Sequence, residues 1–220
     1  MHITVINASP CGSVHSNTKM IVDSFAKSVA ECGHDIQVYS LSERKQWKEA
    51  LESIHTNENI VFAIPVYVGI APSLFKEFIE QLNSFLPAQV RPLKRISFIV
   101  QSAFPETTQR ACCEKYLQYL TQELNCRFSG ILSHCVFYSF IENGTFENLM
   151  AAYSYFGKKY TDNDCTFFFS EAGDFNGAEI LTERQAKLFV RGFNFLCRMN
   201  AQENGCTRDL HDSPYENLNQ

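Results

Sequence analysis

The 220-residue chain is 45% hydrophobic and 20% charged, so it can bury a full core without disulfide or metal staples. A net charge of -5 argues against nucleic acid or an anionic membrane as partner. The nine cysteines are odd in number and scattered without a Cys-x-x-Cys. The six histidines lack ligand spacing, so neither a disulfide framework nor a metal site is expected. The start, Met-His-Ile-Thr-Val-Ile-Asn, has no signal-peptide character, and no run approaches the ~18 apolar residues of a membrane span. The expectation is a cytoplasmic protein with reduced thiols, and the sequon at Asn143 reads as chance.

Residues 2–8 form an apolar run that ends at Ala-Ser-Pro, a buried strand meeting a loop. Residues 18–32 place Met20, Ile21, Phe25 and Val29 at helical spacing and close at Gly33. Residues 35–41 alternate as a short strand, and 43–56 read as a polar surface helix. Residues 59–64 are fully apolar and predict a strand stopping at Pro65. A helix over 72–86 follows, with Leu74, Phe75, Phe78, Ile79 and Leu82 on one face. Residues 95–101 are a third apolar strand, 107–124 a long helix, and 128–137 the last core strand. Near-continuous apolar strands alternating with helices predict a doubly wound five-stranded parallel sheet, helices on both faces. In such sheets a ligand sits outside the carboxyl ends of the strands.

Three loops at those ends carry the chemistry. The first, Ser9 to Thr18, is small, hydroxyl- and amide-rich, and opens a helix whose free N–H groups can hold a phosphate. It lacks the Gly-Lys-Ser/Thr of a triphosphate loop, which favours a monophosphate, although Ser16 or Asn17 acting only as a helix cap is the plainer reading. The second, Pro65 to Pro72, offers Gly69 for close backbone approach and Tyr67 as a flat face with a hydroxyl. The third, Gln101 to Thr107, is rigid and apolar at Phe104-Pro105. Each of the last two, taken alone, could be an ordinary turn.

Together the loops resemble the NAD(P)H-dependent FMN reductases and related flavodoxin-like oxidoreductases. The family's Ser-Pro-Arg-x-x-Ser-Asn-Thr is similar to Ser9-Pro10-Cys11 followed by Ser16-Asn17-Thr18. Its Pro-Val-Tyr matches Pro65-Val66-Tyr67, and its Ser-Gly-Phe-Pro-Glu resembles Ser102-Ala103-Phe104-Pro105-Glu106. Cys11 stands where the family has arginine, and Ala103 where it has glycine. Residues 42–56 lack the cysteines of the iron–sulfur branch, so no cluster is expected.

The resemblance implies a flavodoxin-like fold with FMN as cofactor and NADH or NADPH as co-substrate. Ser9, Cys11, Ser16, Asn17 and Thr18 would lie at the phosphate. Pro65, Val66, Tyr67, Val68 and Gly69 would line one edge of the ring, and Ser102, Ala103, Phe104, Pro105 and Glu106 the other. Tyr67 would touch both flavin and substrate. The implied activity passes a hydride from the nicotinamide nucleotide via FMN to a small-molecule acceptor such as a quinone, azo or nitro compound, or a flavin. A one-electron carrier and a non-catalytic binding or regulatory protein are the alternatives. The family also implies a homodimer.

Residues 1–137 are read as the core and 138–220 as a C-terminal extension on the same domain. Within it, the aromatic-rich stretch 138–180 is expected to cover the flavin or join the dimer, with a plain cap on the sheet as the other reading. A helix over 182–200 closes the chain.

Overall fold

The apolar runs become the inner strands of a parallel sheet. The computed structural model describes residues 1–11, 16–104, 106–135, 146–167 and 182–205. The chain runs β1 (His2–Asn7), α1 (Asn17–Glu31), β2 (Asp35–Ser40), α2 (Trp47–Thr56), β3 (Asn59–Val66), α3 (Ser73–Phe85), β4 (Arg95–Ser102), α4 (Thr108–Glu123), β5 (Arg127–Cys135), α5 (Phe146–Asp162) and α6 (Glu183–Glu203). All neighbouring strands are parallel, in the order β2-β1-β3-β4-β5. The order reverses between β1 and β3. There α1 and α3 leave toward opposite faces of the sheet, the arrangement that in open α/β folds marks the ligand-binding edge.

Alternation along each strand divides the core in two. Ile60, Phe62 and Ile64 of β3 join Ile96, Phe98 and Val100 of β4 against α2, α3 and α4. Val61, Ala63 and Ile99 face the other way, toward α1 and α5. The Phe62 ring lies 5.4 Å from that of Phe75 and 6.0 Å from that of Phe98. Each such buried side chain is worth about 1.5–3 kcal/mol.

Several boundaries differ from the sequence expectation. β3 does not stop before Pro65: Pro65 and Val66 are buried in the strand, opposite Gln101 and Ser102 of β4. β1 pairs with β3 only as far as Ala63, so a proline two residues further disturbs no ladder bond on that side. The polar surface helix at 43–56 is a short 3-10 turn (Arg44–Gln46) leading into α2. Trp47, Ala50, Leu51 and Ile54 of α2 are buried, and the Trp47 indole donates to Leu41 O at 2.9 Å. β5 ends at Cys135, and residues 136 and 137 of its expected range lie outside the described residues.

Of the stretch 138–180, residues 146–167 are described. Its described part is mostly α5, which packs on α1. Tyr153, Phe156, Tyr160 and Phe167 are buried in this chain's own core, so they neither cover a ligand nor meet a partner. The helices touch closely: a Cβ on Gly157 would stand 2.9 Å from Phe25 O and 3.0 Å from Ser28 Cβ. Ser24 and Ser28 of α1 donate their hydroxyls to Met150 O and Ser154 O of α5. Tyr155 of the same helix is exposed, while Tyr138, Phe140, Phe168, Phe169 and Phe175 lie outside the described residues.

Contacts divide the chain into two units, 1–180 and 181–220. In the second, α6 extends the expected 182–200 helix to Glu203, stacks Phe189 on Phe193 at 5.9 Å, and leaves Leu188, Val190 and Phe195 exposed. Among the described residues no helix is long and apolar enough to cross a membrane.

Candidate functional site at the strand ends

β1 ends on Asn7, whose buried Oδ1 accepts from Ser9 N at 3.0 Å and turns the chain. The Ser9 hydroxyl accepts from Cys11 N at 3.2 Å and from the Ser16 hydroxyl at 3.3 Å. Ser16 in turn caps α1 by accepting from Lys19 N. The two serines thus tie together the ends of a loop whose middle, 12–15, lies outside the described residues. α1 presents the positive end of its dipole at this loop and has no acidic residue in its first turn. The N–H groups of Asn17 and Thr18 have no carbonyl partner within the helix. Lys19 is turned away into an exposed pair with Asp23. Cys11 and Asn17 are exposed, whereas Ser9, Ser16 and Thr18 are buried.

After β3 the chain makes a two-residue hairpin. Tyr67 and Ile70 exchange both backbone hydrogen bonds, at 3.0 and 3.1 Å, across Val68 (φ 51°) and Gly69 (φ 80°). Positive φ at both central positions is the type I′ turn. Gly69 suits it, but a β-branched Val68 is held there at a cost of about 1–3 kcal/mol. Val68 is 95% exposed, and Tyr67 and Ile70 are also exposed. A Cβ on Gly69 would lie 3.8 Å from Gln109 O, so this hairpin stands beside the start of α4.

The loop after β4 is held from beneath. Ser102 donates its hydroxyl to Phe104 O at 2.8 Å and accepts from Arg110 Nη1 at 3.3 Å. Arg110 has no exposed surface; its Nε donates to Ser133 Oγ of β5 at 2.7 Å, and Glu114 stands 3.7 Å away. Ser133 passes its own hydrogen to Glu114. Ala103 and Phe104 are exposed, Glu106 is half-buried, and Pro105 lies outside the described residues.

Three contributors escape sequence reasoning. Asn7 and Arg110 look like an ordinary strand end and a surface helix position. Gln101, which reads as the junction of strand and loop, lies within β4 between Pro65 and His134. Its Nε2 donates to Thr18 Oγ1 at 2.7 Å, and its buried Oε1 has no partner among the described residues. The one available signal is a long polar side chain closing an otherwise apolar strand. Among the described residues no three His, Cys, Asp or Glu side chains converge as metal ligands.

The sheet order defines a doubly wound α/β protein, an architecture in which ligands bind beyond the carboxyl ends of the strands at the switch point. More narrowly, the chain belongs to the flavodoxin-like fold family, whose model matches residues 1–132. No curated protein sequence matches it. Among solved structures it is similar to a flavone reductase at 13% identity and a TM-score of 0.56, covering 74% of this chain and 62% of that one. An NADH:FMN oxidoreductase in apo form is 14% identical with a TM-score of 0.54, over 82% of this chain and 96% of the other. An azoreductase from Bacillus anthracis str. Sterne is 12% identical with a TM-score of 0.52, over 74% and 99%. At such identities the likeness is one of fold.

Proposed function

We propose that the chain is an oxidoreductase that binds FMN at this edge and carries reducing equivalents from NADH or NADPH to a small acceptor. One observation carries the reading. An uncompensated helix N-terminus lined with hydroxyls lies at the same sheet edge as an exposed apolar rim of Tyr67, Val68, Ile70 and Phe104. An anion suits the first and a flat apolar ring the second. The polar groups fit FMN: neutral hydroxyls and N–H donors for a monophosphate, and the Gln101 amide oxygen, an acceptor unpaired among the described residues, between phosphate and ring. The names of the neighbours, flavone reductase, azoreductase and NADH:FMN oxidoreductase, agree with that chemistry.

Bound there, FMN supplies two-electron exchange with a nicotinamide nucleotide. The protein's part is placement. Ser9, Ser16 and the N–H groups of Cys11, Asn17 and Thr18 hold the phosphate, the cysteine giving a backbone donor where a side-chain cation is missing. Tyr67 and Phe104 give flat walls, and burying them excludes water from the ring. Arg110 and Ser102 keep the loop after β4 in its shape. A homodimer belongs to the same reading, with the exposed apolar residues of α6 as a surface to bury.

The test is stopped-flow bleaching of FMN-loaded protein by each nucleotide. Bleaching faster than that of free FMN is expected; a rate no faster with either nucleotide favours the carrier or the regulatory protein. A second measurement addresses the phosphate. Asn17 is exposed, and Asn17→Asp puts a like charge beside the phosphate, worth about 1 kcal/mol for unit charges ~4 Å apart at the dielectric of water. FMN should weaken about fivefold while riboflavin, which has no phosphate, stays within twofold.

A further inference from the structure

Gln101 carries the next inference, which rests on the flavin reading above. Its side chain joins the two halves of the site. The amide nitrogen reaches Thr18 in the first turn of α1, where the anion is expected. Its backbone leads directly into Ser102 and the loop bearing Phe104, where the ring is expected. The residue is 92% buried on the 8% exposure it retains. Its Oε1 is nevertheless unpaired among the described residues. Buried polar atoms in native proteins are nearly always hydrogen-bonded. An unpaired one at the ligand edge of a sheet is therefore a place where a ligand completes the pairing.

The chemistry of that ligand atom follows from the amide. An Oε1 accepts only, so its partner must donate, and a phosphate oxygen or an unprotonated ring atom does not serve. Were the amide turned over, Thr18 would donate to Oε1 and Nε2 would face the ligand. The one group that satisfies both orientations is a hydroxyl. A ligand with its anion at α1 and its ring against Tyr67 and Phe104 must run a linking chain between them, past Gln101. In FMN that link is a ribityl chain bearing three hydroxyls.

We propose that Gln101 reads this polyol: its carboxamide hydrogen-bonds a hydroxyl of the chain that links phosphate to ring, and Thr18 aims it. The site is thereby matched to a flavin carrying its sugar-alcohol arm rather than to the bare ring.

The experiment compares three probes, FMN, riboflavin and lumiflavin, the last a flavin ring without the polyol. Dissociation constants are read by fluorescence for the unaltered protein and for Gln101→Met, which keeps length and volume but cannot hydrogen-bond as an amide does. FMN and riboflavin should both weaken about tenfold, the worth of one buried hydrogen bond. Lumiflavin should stay within twofold. Thr18→Val, which removes the partner that aims the amide, should weaken FMN and riboflavin about threefold and again leave lumiflavin alone. This second variant decides the matter if Gln101→Met melts early. Equal weakening of all three probes, or of none, overturns the proposal, since Gln101 would then only shape the ring pocket or do nothing there. If FMN alone weakens, the contact is to phosphate and the polyol assignment falls. If the unaltered protein binds no flavin, the flavin reading falls, and this inference with it.

Discussion

Replacing Arg110 by methionine tests whether the loop after β4 rests on a buried cation. The guanidinium is fully enclosed and donates to Ser133 at 2.7 Å and to Ser102 at 3.3 Å. Methionine fills much of the volume but removes both donations. The shorter charge-assisted bond is worth about 1.5–3 kcal/mol and the longer one about 0.5 kcal/mol. Ser102 and Ser133 still donate to Phe104 O and Glu114, so neither hydroxyl is left wholly unpaired. Glu114 loses its counter-charge, but 30% of its side chain reaches solvent, so water recovers part of that loss. The net expectation for Arg110→Met is about 2–3 kcal/mol. With a urea slope of about 2 kcal/mol per molar, the unfolding midpoint should fall by about 1–1.5 M. Adding Glu114→Gln should restore at least about 1 kcal/mol, because it removes the carboxylate that the first change stranded. A midpoint shift under about 0.3 M, or a double variant weaker than the single, would refute the reasoning.

Val68→Asn should relieve the left-handed strain of the hairpin and raise Tm by about 2–4 °C for about 1 kcal/mol; a lower Tm would show that the valine side chain is held by contacts. Gly157→Ala should lower stability by about 1–2 kcal/mol despite its better helix propensity, because its Cβ meets Phe25 O at 2.9 Å; calorimetry that shows a gain would mean α5 can step away from α1 at no cost. Burial pushes Cys113 up to about 12 and Cys126 and Cys165 up to about 11, while Cys11 and Cys112 are exposed. Iodoacetamide at pH 8 should therefore label Cys11 and Cys112 first and spare Cys113 and Cys165, which are buried, and the half-buried Cys126 until the chain unfolds. The same thiols ionise sooner in the unfolded chain, so their contribution is intact below pH 9 and is lost as the pH rises from about 9 to about 11 for Cys126 and Cys165 and to about 12 for Cys113. A urea midpoint flat across that range would contradict the assignment.

The inner strands were readable because burial on both faces favours unbroken apolar runs, as at residues 60–66 of β3 and 98–100 of β4. The segments after β1 and β3 were readable as loops because small residues, proline and glycine mark where the backbone must bend, although the hairpin at Tyr67–Ile70 was not. What escaped was decided by partners far along the chain. Trp47 and Leu51 sit among charges and look solvated until β2 and β3 supply their neighbours. Tyr153, Phe156 and Tyr160 do recur at helical spacing, but Tyr155 and Gly157 between them obscure the stripe, and its partner Phe25 lies more than a hundred residues earlier. Arg110 reads as a surface arginine because only β5, through Ser133, turns it into a buried one. The roles of Ser102 and Gln101 depend on register: the first faces its own loop, the second faces α1.

The seating of α5 on α1 also sets an order of assembly. Ser24 of α1 meets Met150 of α5 across 126 residues of chain. The face of the sheet under α2, α3 and α4 has all its helices once residue 124 has been synthesised, whereas the face under α1 and α5 waits for residue 162. At about 5–20 residues per second that interval is roughly 2–8 s of translation. During it Phe25, and the strand residues Ile99 and Leu132 beside it, lack the cover of Tyr153, Phe156 and Tyr160. A nascent chain halted in that window would present a half-built sheet with one greasy side, the form most open to chaperone capture.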